Sequence, residues 1–241
     1  TKSDWNTLSE TISNDMVTEM DHRPGMQWHY RIHWYVLRPL VRSYFRLTAQ
    51  GLEHIPPTGP VLLAANHCSF LDPPLIALAI PRQITFLAKE ELFSVPILSW
   101  WIRWMGTYPV SRGEGDLKAI RTVMRLMENH KALLIFPEGT RSLDGNLQPL
   151  ENGLAWLALK TGAPVVPVYV EGTHQALSPQ ARFPRPCRVR MRVGPPLPPE
   201  PLGGRQATPA QVRALTGEIE KSLRALRAMM NHSAEGDNKL P

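Results

Sequence analysis

The 241-residue chain reads as an α/β protein with a mostly parallel central sheet flanked by helices. Short apolar runs alternate with helical stretches from residue 52 onward, which is the pattern of strands joined by crossover helices. Several of these runs are apolar throughout, as strands covered on both faces are. Polar and charged residues able to carry chemistry follow the runs directly, where sheets of this kind hold ligands beyond the carboxyl ends of their strands.

The strands are expected at 60–65, 84–88, 107–111, 132–136 and 164–170, with a further β segment at 188–193. Helices are expected at 73–80, 91–104, 114–129 and 150–162. A proline-dense linker, Pro195 to Pro201, precedes a long amphipathic helix at about 208–230, started by Thr208-Pro209 and carrying Val212, Leu215, Ile219, Leu223 and Leu226 on one side. The last ten residues read as frayed, and no internal repeat is visible. Ahead of the alternating region, residues 1–24 are polar and mildly acidic with weak periodicity. Residues 27–47 are different: on a helix, Arg31, Arg38, Arg42 and Arg46 fall within roughly 80° of one another. Trp, Tyr, Ile, Val, Leu and Phe fill most of the remaining surface. A cationic stripe beside a broad aromatic-aliphatic face suits a helix lying in a membrane interface, and it also suits an ordinary packing helix with a solvated basic edge. Pro39 is expected to kink this helix or split it in two. The chain therefore divides into an N-terminal helical membrane-surface segment (1–50), an α/β domain (51–205) and a C-terminal helix with a frayed tail (206–241).

Composition narrows the partners. The formal net charge of +6 favours anionic ones: phosphates, an acidic carrier, nucleic acid or an anionic membrane surface. Only Cys68 and Cys187 are present, so there is neither a disulfide framework nor zinc-ligand spacing, and a reducing compartment is expected. No run of eighteen uninterrupted apolar residues exists; His67 and Asp72 break one candidate and Arg103 another.

The organising stretch is Pro60 to Pro74. The strand run Val61 to Ala65 stops at Asn66-His67, and Asp72-Pro73 opens a helix. An imidazole at a strand end and a carboxylate at a helix mouth are thus brought within reach of each other. A carboxylate on one ring nitrogen fixes the tautomer and leaves the other nitrogen to accept a proton. The plainer alternative is a turn histidine followed by a helix-capping aspartate. Asn66 reads as a turn former. After the 132–136 strand comes Phe136-Pro137-Glu138-Gly139-Thr140-Arg141, in which Gly139 admits close backbone approach and Arg141 offers a bidentate donor suited to phosphate. Glu138 stands where it can orient Arg141 or a substrate hydroxyl. Arg112, ending the Tyr108 to Ser111 run, and Lys89, ending the 84–88 run, are further cations on the same sheet edge, or else partners in surface salt bridges.

These blocks resemble a known family. Asn66-His67-Cys68-Ser69-Phe70-Leu71-Asp72 matches the N-H-x-x-x-x-D block of the glycerolipid acyltransferases of the 1-acylglycerol-3-phosphate acyltransferase type, and Phe136 to Arg141 matches their E-G-T-R block. Ala88 to Leu92 with Gly106 to Arg112 resembles the second block, although Ser111 stands where an acidic or polar residue is commoner. Val165 to Val168 resembles the fourth. The resemblance covers about residues 60–172. It implies that His67 acts as general base on the 2-hydroxyl of a lysophospholipid, oriented by Asp72, and that the hydroxyl attacks an acyl thioester directly to give phosphatidic acid. It further implies that Glu138, Gly139, Thr140, Arg141, Arg112 and Lys89 bind substrate, with the acceptor's phosphate held by Arg141, Arg112 and the backbone at Gly139. No cofactor or metal is expected beyond the acyl donor, acyl-CoA or an acyl carrier protein. A monotopic position on the cytoplasmic face of a membrane follows, with no nucleic-acid partner. Other acceptors remain open: lyso-ornithine lipid, lysocardiolipin, lysophosphatidylglycerol, a glycolipid or glycerol 3-phosphate. Two rivals from other classes stand beside this reading. One is an acyltransferase or hydrolase with Cys68 as nucleophile; the other is a non-catalytic protein binding anionic lipid or nucleic acid, though no nucleic-acid motif is present.

Overall fold

The computed structural model describes residues 28–94, 99, 102, 106–110, 116–178, 180–181, 183–200, 202 and 205–237. In chain order the elements are α1 (Trp28–Tyr44), β1 (Thr48–Gln50), β2 (Val61–Ala65), α2 (Asp72–Ala79), β3 (Ile84–Lys89), β4 (Thr107–Val110), α3 (Asp116–Glu128), β5 (Ala132–Ile135), α4 (Gly153–Thr161), β6 (Val165–Glu171), α5 (Thr173–Ala176), β7 (Arg190–Val193) and α6 (Pro209–Asp237). Short 3-10 turns occupy Leu52–His54 and Glu90–Ser94.

The strands form one sheet in the order β1-β7-β6-β2-β5-β3-β4. The five from β6 to β4 are mutually parallel. β7 runs antiparallel to β6, and β1 pairs parallel with β7. β2 lies at the centre of the sheet, every one of its five residues buried. Alternation along β2 builds two cores. Val61, Leu63 and Ala65 join Leu75, Ile76 and Ile80 of α2 on one face. Leu62 and Ala64 join Val123 and Leu126 of α3, Leu154 and Ala158 of α4, and Leu215, Ile219 and Leu223 of α6 on the other. Because side chains alternate across a strand, an apolar residue at every position is what a strand covered on both faces requires.

The expected strands and the α2, α3 and α4 helices appear at their places, with ends moved by one to three residues, while α6 continues to Asp237, seven residues past its expected end and into the stretch expected to be frayed. Several details differ. Pro39 sits inside α1, which runs unbroken from Trp28 to Tyr44 rather than splitting. Strand β1 was not foreseen: at three residues it is too short to show a period, and it exists by pairing Thr48, Ala49 and Gln50 with Arg190, Met191 and Arg192. Within the proline-rich 195–201 stretch, Leu197 exchanges backbone hydrogen bonds with Val165, so this linker is pinned to the sheet. The expected helix at 91–104 falls largely outside the described residues, as do residues 1–24. Among the described residues, no helix is long and apolar enough to cross a membrane.

α1 packs on α2 through polar handles: the Tyr30 hydroxyl donates to Ala77 O at 3.3 Å and the Trp34 indole to Ile80 O at 3.0 Å. α6 begins with a capping box. Thr208 Oγ1 accepts from Gln211 N at 3.3 Å, while Gln211 Oε1 accepts from Thr208 N at 3.0 Å. Leu223, fully buried under the sheet, makes α6 part of the domain. Leu223→Ala is therefore expected to lower the unfolding free energy by about 2–5 kcal/mol, whereas exposed Met229→Ala changes it by less than about 0.5 kcal/mol. Urea denaturation of the two variants measures the difference; equal small effects would mean that α6 packs only loosely.

Candidate active site

Two loops at the carboxyl ends of neighbouring strands build the site. The first, after β2, holds Asn66 to Asp72; the second, after β5, holds Phe136 to Gln148. Their strands pair in register, Ala64 opposite Ile135, so His67 and Phe136 leave the sheet side by side.

His67 Nδ1 lies 2.8 Å from Asp72 Oδ2. The same carboxylate oxygen also accepts the backbone N–H groups of Cys68 and Ser69, each at 2.7 Å. Asp72 is the first residue of α2 and is completely buried. Pro73 and Pro74 suit the first helical turn, where no N–H partner is missed. An ionised carboxylate can only accept, so Nδ1 carries the proton and Nε2 keeps its lone pair. The imidazole stacks on the Phe136 ring with centroids 3.9 Å apart and planes 18° from parallel. Carboxylate and ring between them leave the imidazole little freedom to rotate.

Glu138, expected as a ligand contact, clamps the backbone of both loops. It is 5% exposed. Its Oε1 accepts the His67 backbone N–H at 2.6 Å and its Oε2 the Gln148 N–H at 2.8 Å. The His67 carbonyl accepts from Ser142 N at 2.8 Å, so the histidine's backbone is held on both sides by the second loop. Burial pushes the Glu138 carboxyl up to about 7, against the Gln148 and His67 N–H bonds, which pull it down. The Gly139 N–H is spent on Phe136 O at 3.1 Å, inside the turn. The glycine is needed there because φ is +66° and a Cβ would collide with the Glu151 carboxylate.

Thr140 is exposed. Arg141 is half-buried, its guanidinium 3.6 Å above the Phe70 ring, so that Phe70 of the first loop positions a cation of the second. Asp144 anchors the far side of the second loop by accepting from Ser142 Oγ at 2.7 Å and from Asn146 Nδ2 at 2.8 Å. The Asn146 and Ser142 hydrogen bonds hold its carboxyl well below the usual range. Lys89 ends β3 on the same sheet edge, paired with Val110 of β4, but its side chain lies outside the described residues, as does Arg112.

Sequence reasoning missed three contributors. Asn66 does more than end a strand: its amide donates to Val170 O at 2.9 Å and accepts from Val170 N at 2.7 Å, tying the first loop to β6. Ser69, buried, donates to Leu177 O at 2.7 Å and accepts from Leu71 N at 3.1 Å. Phe136 stands in its block with no sequence signal for the stacking on His67. Cys68 is buried with its Sγ 3.2 Å from Thr173 Oγ1, and burial, reinforced by the Asp72 charge, pushes the thiol up to about 12. A thiol so placed is a poor nucleophile.

A family model described as Acyltransferase matches residues 46–171, just over half of the chain. A chloroplastic 1-acyl-sn-glycerol-3-phosphate acyltransferase of Brassica napus is 35% identical over 136 residues, covering 55% of this chain and 39% of that protein. A lyso-ornithine lipid O-acyltransferase of Pseudomonas aeruginosa is 30% identical over 167 residues, covering 69% of this chain and 60% of that protein. The chain thus spans about two fifths to three fifths of the length of these relatives. The crystal structure of the 1-acyl-sn-glycerophosphate acyltransferase of Thermotoga maritima superposes with a TM-score of 0.61 at 22% identity, covering 89% of each chain, a likeness of fold.

The Glu138 clamp has a consequence for stability. The folded state holds this proton more tightly than the unfolded chain does. Its contribution is therefore present at acid pH and is lost as pH rises from about 4.5 through about 7. Relative to Glu138→Gln, which does not titrate, the wild type is expected to lose on the order of 1–2 kcal/mol across that window. Urea unfolding at pH 4.5 and 7.5 tests it; a constant difference would mean that Glu138 is ionised throughout.

Proposed function

The chain belongs to the acyltransferase family, and from that premise we propose that it moves a fatty acyl group from an acyl thioester to the 2-hydroxyl of 1-acylglycerol 3-phosphate, giving phosphatidic acid. The observation that carries the proposal is the His67–Asp72 pair, with Arg141 held over Phe70 of the loop that carries the pair.

In this mechanism Nε2 of neutral His67 takes the proton of the acceptor hydroxyl as its oxygen attacks the thioester carbonyl carbon. Asp72 stabilises the imidazolium that forms, its negative charge held by three N–H donors. The tetrahedral intermediate collapses with cleavage of the C–S bond. The imidazolium returns its proton to the leaving thiolate, so the products are an ester and a free thiol, with His67 neutral again. No covalent enzyme intermediate, redox group or metal is required by this chemistry. Arg141 binds the acceptor's phosphate, since a planar guanidinium matches phosphate oxygens bidentately. Lys89, which ends β3, and Arg112, two residues beyond β4 in the sequence, are assigned as assisting cations. Acyl-CoA or an acyl carrier protein supplies the thioester, and both carry negative charge suited to a chain of net charge +6.

Access to lipid substrates is assigned to α1. Tyr35, Val36, Leu40 and Tyr44 are exposed along it, together with Arg31 and Arg42. The Val36–Leu40–Tyr44 line lies on the opposite side of the helix from the arginine stripe, and an exposed apolar line of this kind fits a helix lying on a leaflet, here a cytoplasmic one. A second acceptor is favoured by the likeness to the lyso-ornithine lipid O-acyltransferase, and the same base would serve a lyso-ornithine lipid.

With 1-acylglycerol 3-phosphate and a long-chain acyl thioester in detergent, wild type is expected to release thiol and form the diacyl product. His67→Ala should lower the rate by about 10²- to 10⁴-fold, while Cys68→Ala stays within a few-fold of wild type. Arg141→Ala should raise KM for the phosphate-bearing acceptor more than it lowers kcat. Turnover with lyso-ornithine lipid alone would move the acceptor, and an active His67→Ala would overturn the mechanism.

A further inference from the structure

A second exposed apolar feature lies far from α1 in sequence. Phe183 is 78% exposed, more than any other large apolar side chain among the described residues. Around it Pro184, Arg185, Pro186 and Arg188 are exposed as well. A lone exposed phenylalanine would need no explanation, but the backbone here is fastened on three sides. Arg185 N donates to Ala176 O at 2.7 Å, and Val189 N donates to Phe45 O at 2.9 Å. Cys187 Sγ lies 3.2 Å from Gly172 O, and at Gly172, where φ is +92°, a Cβ would collide with the Arg188 carbonyl. The loop is thus presented rigidly, with prolines on either side of Arg185.

Its position matters more than its exposure. The Tyr44 hydroxyl donates to Pro184 O at 3.3 Å. Tyr44, Leu40 and Val36 are spaced four residues apart on α1 and so form one line along it. That line ends at the residue bonded to the neighbour of Phe183. Exposed Arg185 and Arg188 lie on the same loop as Phe183. On the other side, Leu177, which follows the α5 residue bonded to Arg185, accepts the Ser69 hydroxyl of the catalytic turn at 2.7 Å.

We propose that the loop carrying Phe183 is a second anchor on an anionic lipid bilayer, continuous with the Val36–Leu40–Tyr44 line of α1, and that the two together lay the catalytic edge of the sheet against the leaflet. The inference rests on the membrane-surface reading of α1. The occupant is identified by charge complementarity: exposed Phe183, with the guanidiniums of Arg185 and Arg188 on the same loop, matches acyl chains beneath phosphate headgroups. An amphiphilic acceptor then meets His67 without leaving the interface.

The test is cosedimentation of the full chain with vesicles of phosphatidylethanolamine and phosphatidylglycerol, and with neutral phosphatidylcholine vesicles. Phe183→Ser is expected to weaken partitioning into the anionic vesicles by about tenfold or more, as loss of one buried aromatic side chain does. Phe183→Trp should retain it, since Trp suits the interface, and raised salt should weaken wild-type binding. Because Phe183 lies outside both cores, circular dichroism should show Phe183→Ser folded as wild type. If Leu40→Ser releases the protein while Phe183→Ser binds as wild type, the loop anchor is overturned and the α1 reading stands. Failure of wild type to bind anionic vesicles overturns both. Equal binding to neutral vesicles removes the charge argument, and with it the proposal. A change in sedimenting mass of Phe183→Ser, with lipid partitioning unaltered, would assign the patch to a second copy of the chain.

Discussion

One carboxylate oxygen holds the candidate active site together. Asp72 Oδ2 accepts three hydrogen bonds, from the His67 ring and from the backbone of Cys68 and Ser69. Burying a polar group without hydrogen-bond partners is costly, and these donors offset that cost. The donors are supplied by the turn that the carboxylate itself closes, so charge and conformation sustain each other. Placing the acid five residues after the base, at the entrance of a helix, lets the backbone between them do the solvating. Charged hydrogen bonds of this kind are among the stronger ones in proteins, each worth on the order of 1.5–3 kcal/mol.

The second loop is built on the opposite logic. Glu138 does not touch the His67 imidazole but takes the histidine's own N–H, and Ser142 takes its carbonyl. The base is therefore fixed from two directions: its ring by Asp72 and Phe136, its backbone by Glu138 and Ser142. Arg141 is tied to the first loop by Phe70.

Much of this was legible in the chain. The buried strands declared themselves as unbroken apolar runs, and the parallel arrangement followed from their alternation with helices. His67 and Asp72 were legible because both their types and their positions, at a strand end and a helix mouth, constrain what they can do. Glu138 was legible as a site residue, but its bonds to the His67 and Gln148 N–H groups were not, since nothing local reveals where its two oxygens point. Asn66 and Ser69 escaped for the same reason. Their partners, Val170 and Leu177, lie more than a hundred residues away. Strand β1 was invisible because its stability comes from β7 rather than from its own residues.

The position of β2 also bears on how the molecule is made. Its two neighbours, β5 and β6, begin at Ala132 and Val165, long after Val61 to Ala65 have left the ribosome. An entirely apolar strand with both edges unpaired must wait through that interval, and loop closure on this scale makes sheet assembly slow. During synthesis it is a surface for chaperones to shield or for neighbouring nascent chains to join. The histidine among the first of the site residues to be translated is therefore among the last to be set in place, because Val170 must be made before Asn66 can moor the turn that carries it.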